Sequence, residues 1–247
     1  PKSVAPLGTL ANPVEHSLEA SPYVTAKNLT LNLSGGKTID VWAARISYVG
    51  ESGWEIYLNN NSDEGLALYD SLLEVGVIPV GIETYANSRR LEKSFRLQGA
   101  DLETEYNACE AAIQRPLVKE ADFHGKAAHL KHREEDLCAI LCTMTVDDLN
   151  VSGVPRYPVG ISPIVDPSTG EVPVDSKGRR SYTTGMSYCP SLKEFVVMGY
   201  LPTELAKEGQ KLAIEYFNED GDGVYPITVK IVGKGSLYDP ENKKVRS

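Results

Sequence analysis

Apolar and polar positions alternate along residues 27–33 and again along 37–49, with Ser34-Gly35-Gly36 between them as a reversal. A period of two sends successive side chains to opposite faces, so both runs are expected to be half-buried strands. Residues 54–58 continue the pattern and complete an antiparallel meander. The stretch from Ser47 to Tyr57 reads as a tight hairpin closing over Gly50 to Gly53, with Val49 opposite Trp54, Tyr48 opposite Glu55 and Ile46 opposite Tyr57. The pleat then gathers Trp42, Ala44, Ile46, Tyr48, Glu55 and Tyr57 on one face, where Glu55 is the only charged member.

After the meander the period changes. Ser62 offers a helix cap, Asp63 and Glu64 supply first-turn charge, and Leu66, Tyr69, Leu72 and Leu73 recur at helical spacing until Gly76. A second helix is expected from about Thr84 to Leu97, with Leu91 and Phe95 inward and a solvated charged face carrying a Glu92–Arg96 pair. Residues 99–120 read as a wrapping connector and 124–134 as a short helix. From Asp136 onward, short β runs at 137–146, 159–165, 194–200, 210–217 and 225–232 are broken by Gly, Pro and Asp clusters. The segments 166–180 and 218–223 read as exposed polar loops. The expected fold class is α+β: an antiparallel sheet with packed helices over residues 1–135, then a small all-β barrel or sandwich over 136–247.

With 247 residues the chain can bury a substantial core, and no apolar run approaches the length of a membrane span. A formal net charge of −9 argues against a phosphate-backbone partner, so neither nucleic acid nor membrane is expected. Cys109, Cys138, Cys142 and Cys189 are too sparse for a disulfide framework, which points to a reducing compartment and not to secretion. Cys138 and Cys142 share a strand face with Ile140 and read as small core residues. The histidines show no metal-ligand spacing, and no metal is expected. No nucleophile elbow, dinucleotide fingerprint or Walker-type loop is present in the sequence.

Candidate chemistry therefore rests on Glu55. A carboxylate on an apolar face needs an internal cation or a ligand with paired N–H donors, such as a pterin or guanidine edge. The alternative reading is an edge strand with Glu55 facing water between ordinary sheet tyrosines.

The order of RISYVGESGWEIY (45–57), LYDSLLEVG (68–76), SRRLEKSFRLQGADLETE (88–105), EAAI (110–113), ADFHGKAA (121–128) and SLYDPENKKVRS at the end resembles the folate-binding aminomethyltransferase superfamily. It is most similar to the tetrahydrofolate-binding region at the carboxyl end of dimethylglycine and sarcosine dehydrogenases. The resemblance implies folate contacts from Tyr48, Glu55, Ile56 and Tyr57. Ala86 stands where glycine-cleavage aminomethyltransferases carry a folate-contacting Arg, and its lack of that Arg is what the dehydrogenase branch would show. Arg115 stands where that branch has a further Tyr, and is expected to meet the glutamate tail of folate unless the ligand differs.

The resemblance places the catalytic Asp upstream of the PKS element with which this chain begins, so no catalytic residue is expected here and the chain is expected to be part of a longer protein. An FAD domain, also outside these residues, would oxidise an N-methyl amine, and tetrahydrofolate would take up the one-carbon unit as 5,10-methylenetetrahydrofolate. The implied partners are a methylated amine and folate, in the bacterial cytoplasm or the mitochondrial matrix. A flavin-independent methyl- or aminomethyltransferase and a non-catalytic regulatory homologue are the alternative readings.

Overall fold

The computed structural model describes residues 21–59, 62–148, 161–216 and 223–246. The chain divides into two compact units, residues 1–85 with 241–247 and residues 86–240.

In the first unit, β1 (Ala26–Asn32), β2 (Thr38–Ala44) and β3 (Glu55–Tyr57) form an antiparallel sheet in that order. Its alternation sorts the side chains. Leu29 pairs with Val41 and Leu31 with Ile39, all buried on one face, while Asn28, Thr30, Asp40 and Trp42 occupy the other. Helix α1 (Ser62–Glu74) covers the buried face through Leu68, Ala67 and Leu72, and Gly76, at φ 90°, lies just past its end.

The inward stripe of α1 is not the expected one. Leu66, Tyr69 and Leu73 are exposed, and Leu68 and Ser71 are buried. Ser71 accounts for the rotation: its hydroxyl donates to the Ala67 carbonyl at 2.8 Å and accepts the Ser34 amide at 3.0 Å. A polar residue on the inner face thus satisfies the backbone of the β1–β2 reversal.

In the second unit, β4 (Ala139–Val146), β5 (Ile164–Val165), β6 (Thr183–Cys189), β7 (Glu194–Pro202), β8 (Lys211–Tyr216) and β9 (Gly223–Val232) form an antiparallel sheet ordered β5-β8-β9-β4-β7-β6. Its ends are joined beside β5 and β6, where the Ile164 amide donates to Ser181 at 3.1 Å and the Thr183 amide to Ser162 at 2.9 Å. One face carries Met144, Ile164, Val197, Leu212 and Ile227, and the other carries Leu141, Val196, Met198 and Tyr200. β7 is buried on both faces, which is why it reads as an unbroken apolar run instead of an alternating one. β6 lies outside the expected strands, because its Thr-Thr-Gly-Met-Ser-Tyr-Cys composition gives a weak strand signal.

An all-β domain starting at residue 136 is not what forms. The unit boundary falls between Tyr85 and Ala86, because Leu91, Leu102, Tyr106 and Ala111 pack on the second face of the six-stranded sheet. Residues 86–135 share that core. Helix α3 (Lys126–Glu134) lies where a short helix is expected.

The expected helix over 84–97 is also corrected. A π-helical segment, Glu83–Arg89, runs into the single turn α2 (Arg90–Glu92), and Ser94 at φ 53° redirects the chain. Its charges are buried, not solvated: Arg90 is 1% exposed, Glu92 0% and Lys93 2%. Arg90 pairs with Asp101 and donates to the Ala86 carbonyl at 2.9 Å. Glu92 pairs with Arg89 at 2.6 Å and accepts the Ser191 amide at 2.7 Å, so the expected pair with Arg96 does not form. Arg96 donates instead to the carbonyls of Ala111, Ser94 and Gly233. Burial without loss of hydrogen bonds is what makes these charges tolerable.

Candidate functional site

The pairing of β2 with β3 sets Trp42 opposite Tyr57, Ala43 opposite Ile56 and Ala44 opposite Glu55. The tight hairpin over Gly50 to Gly53 is therefore replaced by a longer connection over residues 45–54. Arg45 is the reason. It is 1% exposed, its guanidinium donates to the Gly53 carbonyl at 2.8 Å and to the Ser52 hydroxyl, and it lies over the Trp54 ring at 5.5 Å. Its backbone meanwhile bonds with Thr25 and Val24, just before β1. A buried guanidinium that needs those acceptors reshapes the loop around itself.

Ala44 stands where Tyr48 was expected, an even offset, so Glu55 and Tyr57 keep the face they share with Trp42. The Tyr57 hydroxyl donates to Glu55 Oε2, and its ring lies 5.0 Å from that of Trp42. Tyr48 comes from the loop, not from a strand, and its ring lies 5.6 Å from Tyr85. The hydrogen bond to Glu55 holds the Tyr57 phenol above the ordinary phenol range, and burial followed by the Glu55 charge does the same for Tyr85. Both phenols thus stay protonated donors at neutral pH.

Ile56 does not join them. Its side chain takes the opposite face and packs with the core around Leu29, Leu31 and Ala43. Tyr85 is the member that sequence reasoning missed. The signal was an aromatic in a segment read as the start of a solvated helix, and nothing in the pattern ties it to a strand ending at Tyr57.

Glu55 is half-buried and pairs with no cation among the described residues. Beyond Trp42 and Tyr57 the same face opens into a cleft of about 800 Å³, lined also by Asn28, Thr30 and Asp40. A carboxylate has about four acceptor sites. One is engaged by Tyr57, which leaves an edge able to take two side-by-side N–H donors.

Arg115 is exposed and lines a cleft of about 820 Å³ in the second unit, with Ile113, Leu117 and His129. Its carbonyl accepts Arg133 at 2.7 Å. The buried thiols are poor nucleophiles, since burial pushes Cys142 and Cys189 up to about 12. Among the described residues, no His, Cys, Asp and Glu cluster suits a metal ion, and no helix is long and apolar enough to cross a membrane.

Comparison with known proteins gives the chain's relatives. Residues 1–120 match the family model described as the GCVT N-terminal domain. The chain is 34% identical over 200 residues to the mitochondrial dimethylglycine dehydrogenase of Rattus norvegicus, covering 77% of this chain and 20% of that protein. It is 30% identical over 201 residues to the aminomethyltransferase of Koribacter versatilis, covering 78% of this chain and 47% of that one. Among solved structures, the glycine cleavage system aminomethyltransferase T from Bartonella henselae superposes with a TM-score of 0.58 at 24% identity, over 77% of this chain and 48% of the other, a likeness of fold. The chain thus spans about a fifth of the dehydrogenase and about half of the aminomethyltransferase. By motif order, family model and fold, the chain belongs to the aminomethyltransferase (glycine cleavage T-protein-like) superfamily.

Proposed function

We propose that this chain is the tetrahydrofolate-binding part of a one-carbon transfer enzyme, and more specifically of a flavin-dependent N-methyl amine dehydrogenase of the dimethylglycine or sarcosine type. The observation that carries the reading is Glu55: a half-buried carboxylate with no cationic partner among the described residues, on a face whose aromatic members Trp42 and Tyr57 line a cleft. Such a group fits a heterocycle that presents an amino and a ring N–H together, as a reduced pterin does.

Tetrahydrofolate, when bound, supplies the nitrogens that take up a one-carbon unit. Glu55 would fix the pterin edge by charge-assisted hydrogen bonds. Tyr57 braces Glu55 through its own hydroxyl, and Trp42 holds the Tyr57 ring in place. Tyr48, whose ring lies beside Tyr85, would then offer the ligand a ring face and a hydroxyl. Positioning of this kind converts an encounter in solution into a reaction between held partners. FAD, when bound elsewhere in such a protein, supplies oxidation of the amine. No residue of this chain is given a catalytic role.

Ala86, in place of an arginine, favours the dehydrogenase branch, and similarity to aminomethyltransferases keeps a flavin-independent transferase as the second reading. Flavin absorbance in the full-length protein separates the two. For the folate site itself, titration of full-length protein with a stable reduced folate should show Glu55→Gln weakening binding by about 2–3 kcal/mol, the range of a hydrogen-bonded charge. Equal affinity of wild type and variant would remove Glu55 from the site.

A further inference from the structure

Tyr48 and Glu55 belong to one stretch of chain, but the ring that Tyr48 meets does not. Tyr85 sits in the π-helical segment Glu83–Arg89, a rare backbone form that widens the turn and re-aims its side chains. Its amide reaches back to the Gly81 carbonyl at 3.3 Å, and its ring stands 5.6 Å from that of Tyr48 at an interplanar angle of 47°. The side chain is 38% exposed, so a large aromatic surface is held at the site without being used up by packing. Burial, and after it the Glu55 charge, raise the pKa of its phenol, in keeping with the place beside Tyr48 that the ring geometry gives it. Neither the hairpin pattern nor the resemblance assigns it a role.

We propose that Tyr85 is a ligand-binding residue of the Glu55 site, its ring forming with Tyr48 the wall on which a flat heterocycle held by Glu55 stacks. The inference rests on the folate reading given above. Glu55 can fix the edge of a planar ligand but not its tilt, because hydrogen bonds in one plane leave rotation about that edge free. A ring face beside the carboxylate removes that freedom. Tyr57 cannot serve both ends: its hydroxyl is committed to Glu55 and its ring to Trp42. Tyr85, on a separate element, supplies the missing surface. The same placement makes the site selective for flat, conjugated ligands over saturated rings that carry the same N–H pair.

The test is calorimetric titration of the full-length protein with 5-formyltetrahydrofolate, comparing wild type, Glu55→Gln, Tyr85→Ala, Tyr85→Leu and Tyr85→Phe, each checked by circular dichroism. Loss of one stacking partner should weaken binding by about tenfold or more in Tyr85→Ala and Tyr85→Leu. Tyr85→Phe, which keeps the ring, should remain within about threefold of wild type. Tyr85→Leu preserves apolar bulk and decides the matter where the alanine variant is poorly folded. Wild-type affinity in Tyr85→Leu, with Glu55→Gln impaired, would overturn the Tyr85 wall and leave the folate reading standing. A Tyr85→Phe loss as deep as that of Tyr85→Leu would also overturn it, since the hydroxyl and not the ring would then be the contact. No binding by the wild type would instead overturn the folate reading itself.

Discussion

Glu55 in the first unit and Asp101 in the second are both carboxylates set among aromatic and apolar side chains, yet their surroundings treat them in opposite ways. Asp101 is 0% exposed and engaged on both oxygens: Arg90 pairs with it, the Leu97 amide donates to it at 2.8 Å, and the Thr184 hydroxyl donates to its other oxygen. Glu55 has one phenol on one oxygen and, among the described residues, no cation. A carboxylate buried with a donor on each oxygen organises its own fold and is closed to solvent. A half-satisfied one at a surface is available to something else. The difference, more than residue type, is what separates a structural acid from a candidate binding one.

Several experiments would break or sharpen that contrast. The largest effect is expected in the second unit, where Asp101→Ala leaves the Arg90 guanidinium buried and unpaired. Urea unfolding should show a loss of about 3–5 kcal/mol, and a loss below about 1 kcal/mol would mean that Asp101 is not the keystone described. Gly185→Ala comes next, because a Cβ there would meet the Arg90 guanidinium, which Asp101, Ala86 and Phe95 hold in place. Thermal unfolding should report overpacking of about 1–3 kcal/mol.

A smaller effect is expected in acid. Burial pushes the Glu110 carboxyl up, but its bonds from Arg179 and from the Asn107 amide outweigh burial and leave it below the usual carboxylate range. Asp175 behaves likewise, with the backbone amides of Arg179 and Lys177 and the Arg179 guanidinium prevailing over burial. A depressed native pKa means that the unfolded chain binds the proton more readily. The stabilisation is therefore present above about pH 4.3, the ordinary glutamate value, and drains away as pH falls through the lower native value. In Arg179→Met the acid limb of a stability–pH curve should be shallower, and an unchanged limb would assign the acid sensitivity to other groups.

The first unit should respond far less. Glu55→Gln is expected to change unfolding stability by less than about 0.5 kcal/mol, the usual span for a surface replacement, even while folate binding is weakened. The smallest effect is spectroscopic. Without the Glu55 charge, the Tyr57 phenol should titrate closer to its ordinary value of about 10 in an ultraviolet absorbance titration.

Local pattern made the elements of the first unit legible. Alternation located β1 and β2, and acidic residues with a terminal glycine framed α1. The pairing of β2 with β3 was hidden because it depends on Arg45, whose demand for the Gly53 carbonyl is a tertiary fact that no count of glycines contains. The inward face of α1 was hidden for a similar reason, since Ser71 is buried to satisfy the Ser34 amide. In the second unit, the spacing of Glu92 and Arg96 is what a solvated helix would show. The distinguishing feature lies far along the chain, where β6, β7 and the Ser191 turn supply partners for Arg90 and Glu92. Of the site, Glu55 and Tyr57 were legible as sharing a face with Trp42, Tyr48 was expected on that face but lies in the 45–54 connection, Ile56 was carried along by the motif although its side chain points away, and Tyr85 could not be joined to them from sequence.

Adjacent positions in β3 carry opposite duties, since Glu55 faces the cleft side and Ile56 the oily interior. Lengthening or shortening the 45–54 connection is therefore safe only while the strand lands in the same parity. A slip of a single step would drive an acid into the hydrocarbon layer and strand an isoleucine in water, so indels here should be filtered by oddness before they are filtered by size.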